Sequence, residues 1–176
     1  ALEAGVCVVA GAQLRDVVPE RTYQRLVSDL VNTGVSVVVD LSGPVLRAAL
    51  TGRPHVVKVS HEELLADGWA TDDTPAAIAC GIDELRKAGA RHVVVSHAEA
   101  TTIASVDDEL FEVEAPRLQV VDSRGSGDSM TAALAVALAH GAPLRDGLPL
   151  AAAAGAVNVT RHGLASGQAE TIERIA

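Results

Sequence analysis

VVDSRGSGDSMTAALAVALAH, residues Val120 to His140, is the stretch around which the rest of this 176-residue chain is read. It predicts a buried strand end over Leu118 to Val121 and a glycine-rich turn at Arg124-Gly125-Ser126-Gly127. An apolar helix follows, with Asp128 and Ser129 as its first residues. A helix start leaves backbone N–H groups without acceptors, and the helix dipole adds partial positive charge there. Such a turn is therefore an anion site. A carboxylate placed beside it, Asp128, either caps the helix or has chemistry to perform.

Working outward, the chain alternates strand and helix. Val6 to Ala10 is a short apolar run read as a buried strand. Pro19 opens a helix at its first position, and Tyr23, Leu26, Val27, Leu30 and Val31 keep the spacing of one buried face. Val35 to Val39 is a β-branched strand ending in Asp40, and Gly43-Pro44 opens a shorter helix carrying Leu46, Ala49 and Leu50. A strand over His55 to Lys58 and a short helix over Ser60 to Asp67 come next. A longer helix starts at Pro75, with Thr74 as its N-cap, and ends at Gly89. Val93 to Ser96 is a further strand. Thr101 to Val106 and Leu110 to Val113, joined through Asp107-Asp108-Glu109, read as an antiparallel hairpin. After the glycine turn and its helix, an Ala-rich helix is expected from about Asp146 to Thr160. The pattern implies one domain over residues 1–176, an α/β fold with a mainly parallel sheet and helices on both faces.

Composition narrows the function classes. With 23 acidic against 14 basic residues the formal charge is −9, so no basic stripe is available for nucleic acid. Aromatics make up 2% of the chain, which leaves the core to Val, Leu, Ile and Ala. No apolar run is long enough to span a membrane. Ala1-Leu2-Glu3 lacks the basic start of a signal peptide, so a soluble cytoplasmic protein is expected. Cys7 and Cys80 read as small buried residues rather than a disulfide or metal site.

In a parallel sheet, ligands bind beyond the carboxyl ends of the strands. The polar residues there are Asp40, Lys58, Ser96 and the 122–128 turn. Taken singly, Asp40 reads as a strand terminator, Lys58 as a solvated end-of-strand charge and Ser96 as a turn cap. Three motifs fit the turn poorly. The chain holds no G-x-x-x-x-G-K-[ST] loop. Gly125-Ser126-Gly127-Asp128-Ser129-Met130 comes late in the chain and lacks the third glycine of a dinucleotide fingerprint. Ser129 as a hydrolase nucleophile would need a histidine base held by an acid, and neither His140 nor His162 has an acidic residue three positions before it.

A fourth motif fits. Asp122-Ser123-Arg124-Gly125-Ser126-Gly127-Asp128 resembles D-T-x-G-A-G-D, the signature of the ribokinase-like (PfkB) carbohydrate kinases. Ser129-Met130-Thr131-Ala132-Ala133 is similar to its phosphofructokinase-type branch. The segment from Gly5 to Leu50 resembles the family's S-G-S-L-P loop, helix and strand ending in Asp-x-Ser-Gly. KVSHEEL (Lys58 to Leu64) is similar to K-P-N-x-x-E-L, and GAVNVTRHG (Gly155 to Gly163) to the adenine-side helix and its loop. The resemblance covers nearly the whole chain, in order, and matches the C-terminal portion of the family's three-layer fold.

This resemblance implies ATP-dependent phosphoryl transfer to a primary hydroxyl of a sugar phosphate. It implies Asp128 as the base and the backbone N–H groups of Gly125, Ser126 and Gly127 as an anion hole. It further implies Lys58 and Ser96 on nucleotide phosphates, Asn158 near adenine or ribose, and Glu63 linked to Mg²⁺ through water. Ser60-x-x-Glu63 is also a capping box, and the sequence leaves both roles for Glu63 open. The chain departs from the family at several points. Val59-Ser60 stands for Pro-Asn, His97-Ala98-Glu99-Ala100-Thr101 for a glycine-bearing loop, and Ala10-Gly11-Ala12-Gln13-Leu14-Arg15 for S-G-S-L-P. The family's earlier strands, its β lid and most sugar-binding residues have no counterpart in these positions. An uncovered sheet edge, assembly of copies and an inactive isolated chain are expected. The alternative to a kinase is a nucleotide-binding or structural module without catalysis.

Overall fold

The computed structural model describes residues 4–11, 17–97, 100–164 and 166–176. Loop residues 12–15 and positions 98 and 99 of the altered segment lie outside the described residues. One six-stranded sheet carries strands β1 (Val6–Ala10), β2 (Ser36–Asp40), β3 (Val56–Ser60), β4 (His92–Ser96), β5 (Thr102–Val106) and β6 (Glu109–Val113), side by side in chain order. β1 to β4 run parallel, and β5 and β6 add antiparallel to the far edge.

Helices cover both faces. On one lie α1 (Glu20–Asn32), α2 (Gly43–Leu50), α3 (His61–Ala66) and α4 (Pro75–Ala88). Their buried Tyr23, Val27, Leu46, Leu64, Ile78 and Ile82 pack on Val37, Val39, Val57, Val59, Val93 and Val95. On the other face lie α5 (Ser126–Ala139) and α6 (Leu144–Asn158), whose Met130, Leu134, Leu148 and Ala151 pack on Val38, Val56 and Val94. Alternate strand residues thus feed two cores, as the two-residue period of a strand requires.

α5 and α6 are joined closely and antiparallel. A Cβ at Gly147 would lie 2.6 Å from Ala137 Cβ, and one at Gly155 would lie 2.8 Å from Met130 Cγ and 3.0 Å from Ser126 Oγ. Glycine at both positions lets α6 seat against α5, and the second contact reaches the glycine turn itself. Most of α6 from Ala151 to Asn158 is buried, which explains a sequence apolar all round rather than on one stripe.

Several boundaries differ from expectation. Leu118 to Val121 is not a strand. These residues are exposed, Val120 at 53%, and the Val121 and Asp122 N–H groups donate to Val159 O at 2.7 and 3.1 Å. The chain here returns from edge strand β6 to α5, which packs over β1, β2 and β3, so it crosses strand ends instead of pairing with them. The hairpin turn is two residues, Asp107 and Asp108, both with positive φ (49° and 68°), as a tight hairpin twist demands. α6 starts and ends about two residues early, and α7 (Ala169–Ile175) was not anticipated because so short a segment carries no clear periodic face. Cys80 is exposed on α4 and Cys7 is half-buried, both free; neither is the buried residue expected. β1 is paired with β2 alone among the described residues, in line with an uncovered edge. No helix among the described residues is long and apolar enough to cross a membrane.

Candidate active site

The site assembles where β2, β3 and β4 end and α5 begins. Gly125 is the N-cap of α5, in the left-handed region (φ 77°), which a side chain disfavours. The helix therefore begins at Ser126, two residues earlier than read from the sequence. The first intrahelical bond runs from Ser129 N–H to Gly125 O at 2.9 Å, so the N–H groups of Ser126, Gly127 and Asp128 lie in the first turn without an i−4 acceptor. Ser126 is partly occupied: its N–H makes a long 3.4 Å bond to Ser123 O, and its hydroxyl donates to Gly155 O at 3.3 Å. Among the described residues, the N–H groups of Gly127 and Asp128 have no acceptor.

Lys58 points at that turn. Strand alternation puts its side chain on the α5 face, beside Val56 and Val94, which pack under α5. A Cβ on Gly127 would collide with Lys58 Nζ, so only a glycine admits the ammonium so close to the helix start. The lysine is 4% exposed, and is not the solvated charge its strand-end position suggested. A buried ammonium needs a partner, and Asp40 supplies it. Asp40 and Lys58 are in register across β2 and β3, with Nζ 3.5 Å from Asp40 Oδ2. The same oxygen accepts the Thr131 hydroxyl at 2.6 Å, and that hydroxyl also lies 3.0 Å from Gly127 O. Asp40 is thus no mere strand terminator. The signals for this network were a threonine after Met130, where α5 turns apolar, and opposite charges on two neighbouring strands, Asp40 at the end of β2 and Lys58 within β3.

Asp128 sits in the first turn of α5, exposed. Gly125, not Asp128, is the N-cap, and α5 has no side-chain cap bond. A groove of about 510 Å³ between α5, α6 and α7 has Asp128 and Ser129 at one end and Val136, Leu150, Leu164 and Ile172 among its apolar lining. The turn's outer arm is held by Asp122, whose carboxylate takes the Arg124 guanidinium at 2.7 Å and the Arg124 N–H at 3.1 Å. These hydrogen bonds hold the Asp122 carboxyl down to about 2.

Asn158 is wholly buried, and its Nδ2 donates to Arg124 O at 2.7 Å. It lies beneath the turn, where α6 ends under the Gly125 bend. Its Oδ1 is buried without a partner among the described residues. Ser96 ends β4, in register with Ser60, and its hydroxyl reaches Val59 O at 3.5 Å. Glu63 forms the capping box in full: Glu63 N–H donates to Ser60 Oγ at 3.2 Å and Ser60 N–H donates to Glu63 Oε2 at 2.8 Å. Beside them the rings of His61 and His97 lie 4.0 Å apart. Among the described residues no three acidic, histidine or cysteine side chains are grouped to hold a metal ion.

This arrangement is a helix N-terminus, a buried ammonium and an exposed carboxylate around one glycine turn. A family model described as pfkB family carbohydrate kinase matches residues 2–172. The chain belongs to this family. Among curated relatives, 1-phosphofructokinase of Bacillus subtilis (strain 168) is 28% identical over 155 residues, covering 88% of this chain and 51% of the relative. Among solved structures, phosphofructokinase-2 from Escherichia coli in complex with potassium superposes with a TM-score of 0.87 at 27% identity, covering 98% of this chain and 57% of that one. Arabidopsis thaliana ribokinase, complexed with ribose and ATP, shares the fold with a TM-score of 0.82 at 22% identity, covering 99% of this chain and 56% of its own. The chain spans about half the length of these relatives.

Proposed function

We propose that the protein carrying this chain is an ATP-dependent kinase for a sugar phosphate of the phosphofructokinase type, phosphorylating a primary hydroxyl. The observation that carries the reading is the approach of Lys58 Nζ to Gly127, close enough that a Cβ there would collide with it, one residue from the exposed Asp128. Phosphoryl transfer needs positioning and charge stabilisation more than covalent chemistry, and this turn offers both. Asp128 accepts the proton of the acceptor hydroxyl as its oxygen attacks the terminal phosphorus. Charge developing on the transferring group falls to the turn of Gly125, Ser126 and Gly127, with the free N–H groups of Gly127 and Asp128 foremost, and to Lys58. Ser96, at the next strand end but one from Asp40, stands toward the nucleotide phosphates. Asn158 acts from below, holding the Arg124 carbonyl and so the shape of the turn.

The residues fit the phosphates of a nucleotide: glycine at 127 lets the Lys58 ammonium come up to the first turn of α5, beside N–H groups without an i−4 acceptor. They fit Mg²⁺ as an ion that arrives on the phosphates and keeps its waters, since such ions need only one or two carboxylates. Glu63 is the candidate for a water-mediated contact through the oxygen its capping box leaves free. Mg²⁺ would neutralise charge across the phosphates. Assembly of copies is part of the same proposal.

The test is coupled ADP release by the full-length protein with fructose 6-phosphate, tagatose 6-phosphate and fructose 1-phosphate. Asp128→Ala should lower turnover by about 10²–10⁴-fold, the usual contribution of a general base, while ATP binding persists. Unchanged turnover in this variant would remove Asp128 from the mechanism.

A further inference from the structure

The geometry points to Asp40 as a positioning residue that, through Lys58 and Thr131, locks the buried ammonium to the first turn of α5. The inference rests on the phosphoryl-transfer reading and deepens it. A lysine side chain has four rotatable bonds, and nothing in strand β3 alone aims Nζ at Gly127. Asp40 does so with one oxygen. Oδ2 lies 3.5 Å from Lys58 Nζ and accepts the Thr131 hydroxyl at 2.6 Å, while that hydroxyl lies 3.0 Å from Gly127 O. The sheet's cation and the helix's first turn are therefore fastened to the same atom. Both charged side chains are largely dry, 6% exposed for Lys58 and 14% for Asp40, so their interaction is weakly screened.

Two opposite effects follow. Asp40 fixes where the ammonium sits, which favours transfer. Its negative charge also lies close to any anion bound at the turn, which weakens ground-state anion binding. A residue that only filled space would not separate these effects. A residue of this kind trades tight phosphate binding for an oriented cation and easier release of product.

The experiment uses the full-length protein with Asp40→Asn, Thr131→Val and Thr131→Ser, checked for folding by circular dichroism. Pyrophosphate binding is measured by calorimetry, and kcat and KM for ATP by ADP release. Asp40→Asn should bind pyrophosphate about fivefold or more tighter, since a like charge near the anion is gone, and lower kcat by about tenfold or more. Thr131→Val should lower kcat while leaving pyrophosphate affinity within about twofold, because it removes the tether and no charge. Thr131→Ser should restore kcat. Weaker pyrophosphate binding in Asp40→Asn, or failure of Thr131→Ser to rescue what Thr131→Val loses, overturns the inference. If Asp40→Asn does not fold, the Thr131 pair decides. If the unaltered protein binds pyrophosphate but transfers nothing, the kinase reading fails and Asp40 is judged on the affinities alone: tighter supports it, weaker overturns it.

Discussion

Gly127 has no side chain at the point where the Lys58 ammonium meets the first turn of α5. Its missing Cβ is the space taken by Lys58 Nζ, and the obstacle to an alanine there is the tip of a flexible side chain, not backbone. Gly127→Ala should therefore cost little stability, with a thermal midpoint close to that of the unaltered protein. The alanine should nevertheless push the ammonium away and weaken phosphate-ligand binding by about tenfold or more, the worth of one charge-assisted contact. Calorimetry with pyrophosphate beside a thermal melt checks both halves. A large loss of stability would mean that Lys58 cannot yield. Gly125 differs. Its φ of 77° strains any side chain whatever the space, and a Cβ there would also press at 3.3 Å on Nδ2 of the buried Asn158.

The elements that matter most are α5 and α6, whose contact is set by small residues. Gly147→Ala places a methyl group 2.6 Å from Ala137 Cβ, between two helix backbones that cannot part without disturbing the core around Leu134 and Leu148. It should destabilise by about 1–3 kcal/mol, the usual cost of overpacking, read from denaturant unfolding. An unchanged midpoint would show that the helices have room to separate. This pairing was only half legible beforehand. The strands and the helices α1, α2 and α4 were read near their true positions because their periodic apolar residues leave one packing face. Leu118 to Val121 reads as a strand because its three apolar residues look alike in a buried strand and in a crossing segment. The choice is made by where the next helix must lie.

At the scale of the whole molecule, the strand starts opposite the site carry a pH dependence. His55 Nδ1 accepts the Val37 N–H at 3.2 Å, and His92 Nδ1 accepts the Asp107 N–H at 3.3 Å, so both imidazoles serve as neutral acceptors. Burial, with Arg91 adding to it, lowers the pKa of His55 below its ordinary 6.5. Burial lowers that of His92 as well, Asp107 opposing and Arg91 assisting. The unfolded chain then takes up protons first, so stability is complete above about pH 6.5 and is lost as the pH falls through the lowered folded values. Thermal midpoints should drop between about pH 7.5 and about pH 5.5, and His92→Asn, which keeps an acceptor without titrating, should flatten part of that drop. An equal slope in the variant would place the titration elsewhere. The open edge has its own consequence. β1 is VCVVA, without charge or proline, and Val8 is 42% exposed. The isolated chain should self-associate with concentration, and Val8→Lys, a charge on an edge strand, should reduce it in light scattering. Association undiminished by Val8→Lys would move the contact off this edge.

The sequence by itself determined the family, the three-layer plan and the turn at 125–128, because each rests on local facts: residue periodicity, glycine spacing and the order of motifs. It also placed Asp128 beside the glycine turn. Only the tertiary structure decided which charges meet there. Asp40 and Lys58 are distant in sequence and adjacent by strand register, and Thr131 joins them from a helix that arrives much later in the chain. It likewise set Asn158 beneath the turn, bonded to the Arg124 carbonyl. Register and helix seating are long-range properties of packing, so a carboxylate that reads as the end of a strand becomes, once folded, the counterion of a buried lysine.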